Sequence, residues 1–88
     1  MIHRDFTFLP PGVLLIDVRD PAEYQKFHLP SALLIPVYQL GELVPRIIPD
    51  VNTPLFLYCD HGTKSRAAAI QLTDMGYRRV YDAGGLGS

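Results

Sequence analysis

Short, nearly unbroken apolar runs constrain this chain more than any other feature. Val13-Leu14-Leu15-Ile16-Asp17-Val18, introduced by Pro10-Pro11-Gly12, lacks the polar alternation of a strand with one wet face and reads as a strand buried on both sides. Ala32-Leu33-Leu34-Ile35, held between Pro30 and Pro36, and Pro54-Leu55-Phe56-Leu57-Tyr58 give a second and a third strand. Arg79-Val80-Tyr81-Asp82 gives a last one, closed by a turn at Gly84-Gly85. The segments between them have helical signatures. Asp20-Pro21-Ala22-Glu23 supplies an N-cap acid, proline at the first helical position and a glutamate placed to close a capping box, which predicts about two turns ending near Phe27. Leu40, Leu43, Val44 and Ile47 recur at helical spacing, with Pro45 predicting a kink or two short pieces. The alanine-rich stretch from Ser65 to Met75 contains neither proline nor glycine and is followed by Gly76 as a left-handed cap. Strands alternating with helices specify an α/β fold, a small parallel sheet flanked by helices, and 88 residues hold one such domain.

Composition narrows the function. A chain that is 48% hydrophobic and 19% charged can build one modest core. Eight basic residues against nine acidic ones, with no basic run, argue against nucleic-acid binding. No apolar run approaches the roughly 20 residues of a membrane span, and Met1-Ile2-His3-Arg4-Asp5-Phe6 lacks the apolar core of a signal peptide. The expected location is therefore the cytoplasm, or the periplasm if a leader has been removed. The single cysteine, Cys59, excludes an internal disulfide, and His3, His28 and His61 are too far apart for a metal signature, so no metal is expected.

Chemistry concentrates in Tyr58-Cys59-Asp60-His61-Gly62-Thr63-Lys64-Ser65-Arg66, a thiol at the carboxyl end of a buried strand, then a glycine-containing loop and a helix start. Ligands of open parallel sheets bind at that edge. A loop curled around the sulfur turns successive backbone N–H groups inward, and the helix adds its partial positive end. Both favour thiolate over thiol, and Lys64 and Arg66 add to the field, so Cys59 is the candidate nucleophile. A free cysteine is equally often a small buried hydrophobe, and on position alone the two readings stand level. The company of a glycine, two cations and a helix start favours reactivity.

These residues resemble a single-domain rhodanese, the family of thiosulfate sulfurtransferases. One matching block runs from Leu15-Ile16-Asp17-Val18-Arg19-Asp20 through Tyr24, with His28-Leu29-Pro30-Ser31-Ala32 and Ile35-Pro36. The other runs from Tyr58-Cys59 to Arg66, with Met75-Gly76-Tyr77, Val80-Tyr81 and Gly84-Gly85-Leu86. The resemblance covers nearly the whole chain and implies a rhodanese-like domain that is minimal at both ends, with apolar surface left for a monomer or weak homodimer. It implies a ping-pong reaction in which Cys59 takes sulfane sulfur from thiosulfate or a persulfide donor and passes it to cyanide, a small thiol or a protein thiol. Asp60, His61, Gly62, Thr63, Lys64, Ser65 and Arg66 then form the substrate cradle, with no metal or cofactor. Two departures from the family pattern stand out. Lys64 takes a position where many relatives have arginine, and it lacks a bidentate fork. Asp60 replaces a residue that is often basic, and its charge opposes a neighbouring thiolate.

The remaining conspicuous residues have structural readings. Asp17 and Arg19 are expected to tie adjacent loops together, His28 to anchor a loop, and His61 to point into solvent. Tyr24, Phe27 and Leu29 have the size and spacing of core residues, and Arg78-Arg79 that of an exposed corner. Three other functions compete. A cysteine phosphatase would have its essential arginine after five intervening residues, where this chain has Ser65. A sulfur carrier or interaction module of the same fold would need a partner. A redox sensor would be expected to carry a resolving cysteine.

Overall fold

The computed structural model describes residues 12–87, so Met1–Phe6 and the Pro10-Pro11 lead-in lie outside the described residues. The elements follow in the order β1 (Leu14–Asp17), α1 (Pro21–Lys26), β2 (Leu33–Leu34), a 3-10 turn (Val37–Gln39), α2 (Leu40–Ile47), β3 (Leu55–Cys59), α3 (Thr63–Asp74) and β4 (Val80–Gly85). The strands form one sheet in the order β2-β1-β3-β4, and every pairing is parallel. The two central strands are thus β1 and β3, and both deliver their carboxyl ends to the same edge.

Strand alternation divides the core between the two faces of the sheet. Ile16 and Val18 of the first run and Leu55, Leu57 and Cys59 of the third pack with Leu40 and Val44 from α2 and with Ala68 and Leu72 from α3. Leu15 and Tyr58 point the other way and pack with Ala32, Tyr24 and Leu29. Asp17 has the parity of Leu15, so it falls on the Tyr58 side, fully buried. Cys59 has the parity of Leu57, which aims its sulfur at the face that α3 covers.

Local sequence accounts for most boundaries. In α1, the Asp20 N–H donates to Glu23 Oε1 at 3.2 Å, one half of the capping box, and Pro21 occupies the first turn. Gly76, with φ 103°, ends α3 in the left-handed conformation, and the Tyr77 N–H returns to the Leu72 carbonyl at 3.1 Å.

Four expectations need correction. Pro45 does not break α2. The helix is only eight residues long, and the carbonyl that loses its donor belongs to exposed Gly41. The discontinuity falls earlier, where the 3-10 turn meets Leu40. The first turn of α3 begins at Thr63 rather than Ser65. Phe27 is 57% exposed instead of joining the core, because the helix ends at Lys26 and its cap residue turns outward into extended backbone. Gly84-Gly85 does not turn the chain but extends β4. Tyr58 pairs with Gly84 where Leu57 pairs with Asp82, so Ala83 is an extra residue, and Gly84 takes up the bulge at φ 84°.

Burial pushes both the Tyr58 and the Tyr77 hydroxyls above their ordinary pKa of 10. The unfolded chain therefore loses these protons first as pH rises. The associated stability is present in full below about pH 10 and declines above it. Urea midpoints should be level between about pH 8 and 9 and fall by about pH 11. An unchanged midpoint there would contradict the burial of these hydroxyls.

Candidate active site

The sulfur of Cys59 lies at the last position of β3, and the chain turns back over it at once. The Gly62 N–H donates to Sγ at 2.9 Å and the Ser65 N–H at 3.3 Å, while Ser65 Oγ lies 3.4 Å from Sγ and donates to the Gly62 carbonyl at 3.2 Å. Gly62 is the N-cap of α3 and has φ 87°, a conformation that costs a side-chain-bearing residue roughly 1–2 kcal/mol. The tight turn is therefore specified by glycine, and it is what brings two main-chain donors onto one sulfur. Both donors sit at the start of a twelve-residue helix, so the helix dipole adds to them.

The loop is held from below by the end of β4 and the two residues that follow it. The Leu86 N–H donates to the Cys59 carbonyl at 2.8 Å, and the Gly87 N–H to the Asp60 carbonyl at 2.9 Å. Gly85 passes so close that a Cβ there would lie 2.4 Å from the Asp60 carbonyl oxygen. It is held from the side by Arg19, which is 5% exposed. Its Nε and Nη2 clasp Asp17 at 2.8–3.1 Å, Nη1 reaches Asp60 Oδ1 at 3.1 Å, and Nη2 also donates to the Phe27 carbonyl. Asp17 further accepts the Tyr58 hydroxyl at 2.8 Å, and that hydroxyl takes the Leu29 N–H at 3.0 Å. One buried network therefore joins the ends of β1 and β3, the α1–β2 connection and the loop around Cys59. Changing Tyr58 to Phe should cost about 1–2 kcal/mol, because it strands the Leu29 N–H and removes one donor from Asp17. A urea midpoint equal to that of the native chain would show that the network does not depend on this hydroxyl.

A pocket of about 350 Å³ opens over the sulfur, lined by Glu23, Cys59, Asp60, His61, Thr63 and Lys64. Cys59 itself is almost fully buried, so access runs through this opening. Lys64 Nζ lies 3.8 Å from Asp20 Oδ2 and 4.0 Å from Glu23 Oε1. Hydrogen bonding to Glu23 and to Arg19 holds the Asp60 carboxyl below its ordinary range against the opposing effect of burial.

Of the residues expected to form the cradle, Asp60, His61, Thr63 and Lys64 reach this pocket, and Gly62 and Ser65 contribute backbone donors. Arg66 is exposed and lines a neighbouring groove with His61, Gly62, Thr63, Ala67 and Ile70. Asp17 and Arg19 tie loops together as expected. His28 stacks on Tyr24, with ring centroids 3.7 Å apart, and bonds the Tyr24 carbonyl as a loop anchor. His61 is exposed, and Arg78 and Arg79 form an exposed corner. Sequence reasoning missed two residues. Glu23 was legible only as a capping residue, although the first turn of α1 rises from the same sheet edge as the Cys59 loop. Gly85 was legible only as a turn.

Among the described residues no group of side chains could hold a metal ion, and no helix is long and apolar enough to cross a membrane. Comparison with known proteins agrees with the geometry. Residues 9–86 match the model of the rhodanese-like domain. The thiosulfate sulfurtransferase PspE of Escherichia coli (strain K12) is 41% identical over 71 residues, which span 81% of this chain and 68% of that protein. The thiosulfate sulfurtransferase GlpE of Pseudomonas syringae pv. syringae (strain B728a) is 31% identical over 90 residues, spanning 92% and 83%. A solved rhodanese from E. coli, described with anions, superposes with a TM-score of 0.80 at 39% identity, covering 84% of this chain and 87% of that one. With the parallel sheet, the glycine-turned loop over Cys59 and both sequence blocks in agreement, this chain belongs to the rhodanese-like domain family.

Proposed function

We propose that the chain is a sulfurtransferase that carries sulfane sulfur on Cys59 from thiosulfate, or a persulfide donor, to a thiophilic acceptor such as cyanide or a thiol. The observation that supports this most directly is the convergence of the Gly62 and Ser65 N–H groups on Cys59 Sγ. In the first half-reaction the thiolate attacks the outer sulfur of thiosulfate, a new S–S bond forms to Cys59, and sulfite departs with the electron pair of the bond that breaks. In the second, the acceptor attacks that outer sulfur and the electron pair returns to Cys59 Sγ. The backbone donors stabilise the sulfur anion before and after transfer, which is charge stabilisation by groups already in place. Phosphoryl chemistry is disfavoured, since Ser65 stands where a phosphatase would have its arginine and Arg66 faces the neighbouring groove.

Thiocyanate formation from thiosulfate and cyanide, measured for the native chain and for Cys59→Ser, tests the proposal. The expected result is turnover that disappears in the variant, with one added sulfur atom on the native chain by intact mass. Added sulfur without turnover would instead mark a carrier whose acceptor is a partner protein. A folded native chain that neither turns over nor gains sulfur would overturn the sulfurtransferase reading.

A further inference from the structure

Ser65 carries a fully buried hydroxyl beside the reacting sulfur, and the half-reactions above make no use of it. It lies 3.4 Å from Cys59 Sγ, where it accepts from the thiol, and it donates its own hydrogen to the Gly62 carbonyl at 3.2 Å. That carbonyl has a second donor, the Arg66 N–H at 3.1 Å. The hydroxyl can therefore turn away from Gly62 and leave no buried acceptor stranded. Rotation about the Cβ–Oγ bond exchanges the two arrangements, and no heavy atom has to move.

We infer that the Ser65 hydroxyl is a two-position rotor that follows the charge on Cys59 Sγ, accepting from the thiol and donating to the thiolate, and that it thereby favours discharge of the persulfide over its formation. The inference rests on the sulfurtransferase reading and deepens it by giving a side chain a part in each half-reaction. In the persulfide, Sγ is bonded to the outer sulfur and carries no charge, so the hydroxyl stays on the Gly62 carbonyl. During discharge the acceptor's electron pair forms a bond to the outer sulfur, the S–S bond to Cys59 breaks, and its pair goes to Sγ. The hydroxyl then turns to the new anion, where its hydrogen bond is charge-assisted, and no proton leaves Ser65. In loading the same bond holds the attacking thiolate, and it is given up as Sγ bonds the outer sulfur of thiosulfate and sulfite departs with the pair of the broken bond. A stabilised thiolate is a better leaving group and a weaker nucleophile, so the hydroxyl acts on the two half-reactions in opposite senses.

The test measures the half-reactions separately in the native chain and in Ser65→Ala, reading sulfur gained or lost by intact mass. Alanine keeps the backbone donor, and the Gly62 carbonyl keeps the Arg66 N–H, so the variant is expected to fold, which thermal melts establish. Loading by thiosulfate is followed between about pH 7 and 10 and compared at its plateau, so that the thiolate fraction does not enter. Discharge of the loaded chain by cyanide is compared at one fixed pH. Glu23, Asp60, His61 and Lys64, the titratable groups that line the pocket with the thiol, are common to both proteins. In Ser65→Ala discharge should slow by about three- to tenfold, while plateau loading is unchanged or rises by up to about threefold. An unchanged discharge rate, or a loss shared equally by both half-reactions as a structural role would give, overturns the rotor and leaves the sulfurtransferase reading standing. Failure of the native chain to load sulfur overturns both. The native chain offers a second readout, its infrared S–H band, assigned by the loss of that band in Cys59→Ser. The band should lie below the frequency of free cysteine because the thiol donates to Ser65 Oγ, and a band at the free frequency overturns the rotor independently of the alanine variant.

Discussion

Replacing Asp17 by alanine is expected to destabilise the fold by about 3–5 kcal/mol, the usual cost of removing one partner from a buried ion pair. Asp17 is fully buried and accepts the Arg19 N–H at 2.9 Å, three contacts from the Arg19 side chain at 2.8–3.1 Å and the Tyr58 hydroxyl at 2.8 Å. Its loss leaves a guanidinium that is almost fully buried and whose remaining hydrogen-bond partners among the described residues are Asp60 and the Phe27 carbonyl. The Arg19 pKa, raised chiefly by its hydrogen bonds to Asp17, reflects the same dependence. Removing both charges, as Asp17→Ala with Arg19→Met, should cost less than the sum of the single changes, because no charge is then buried alone. Urea denaturation of the two single variants and the double variant measures this coupling. Additive costs would show that the two side chains are not interdependent.

Gly85→Ala should lower activity by about a hundredfold and destabilise by about 1–3 kcal/mol. The new Cβ would meet the Asp60 carbonyl oxygen at 2.4 Å, His61 Cα at 2.7 Å and the Asp60 carbonyl carbon at 2.8 Å. All three are main-chain atoms of the loop over Cys59, so no flexible side chain can swing aside. Either β4 or that loop must move, and movement of the loop displaces the donors from the sulfur. Gly76→Ala provides the contrast. Nothing lies within 4 Å of the Cβ it would add, and its φ of 103° imposes strain far from the site. It should lose stability while keeping turnover per folded molecule. Measuring turnover and urea midpoint on both variants separates the two effects. Full activity in folded Gly85→Ala would show that the close approach does not position the loop.

The difference between these glycines bears on what could be read from the sequence. Gly76 was legible because a helix pattern ends in front of it, a local signal. Gly85 was not, because its reason lies in a parallel strand pairing with Cys59, far away in the chain. The same division runs through the site. Cys59, the glycine-turned loop and the helix behind it are contiguous, so their chemistry could be read directly. The clasp of Arg19 on Asp60 and the arrival of Glu23 beside the thiol depend on β1 and β3 lying side by side. Phe27 was misread for a related reason. Its spacing fits a core position, but α1 stops one residue before it and the backbone turns it outward.

The pairing of β1 with β3 also governs the order in which the molecule can assemble. The Tyr58 hydroxyl and the Asp17 carboxylate that receives it are 41 positions apart, and all three ladders join strands separated by helical segments. Such non-local pairings require closing long loops before any contact rewards the closure, so they form slowly compared with helical contacts. The helices can flicker into existence early, but the cradle needs β1, β3 and β4 together. During folding the thiol is thus an ordinary cysteine open to bulk reagents, and it acquires its sheltered surroundings only as the sheet closes. The rate at which Cys59 becomes protected from a large thiol-blocking reagent during refolding would report the moment at which the site comes into being.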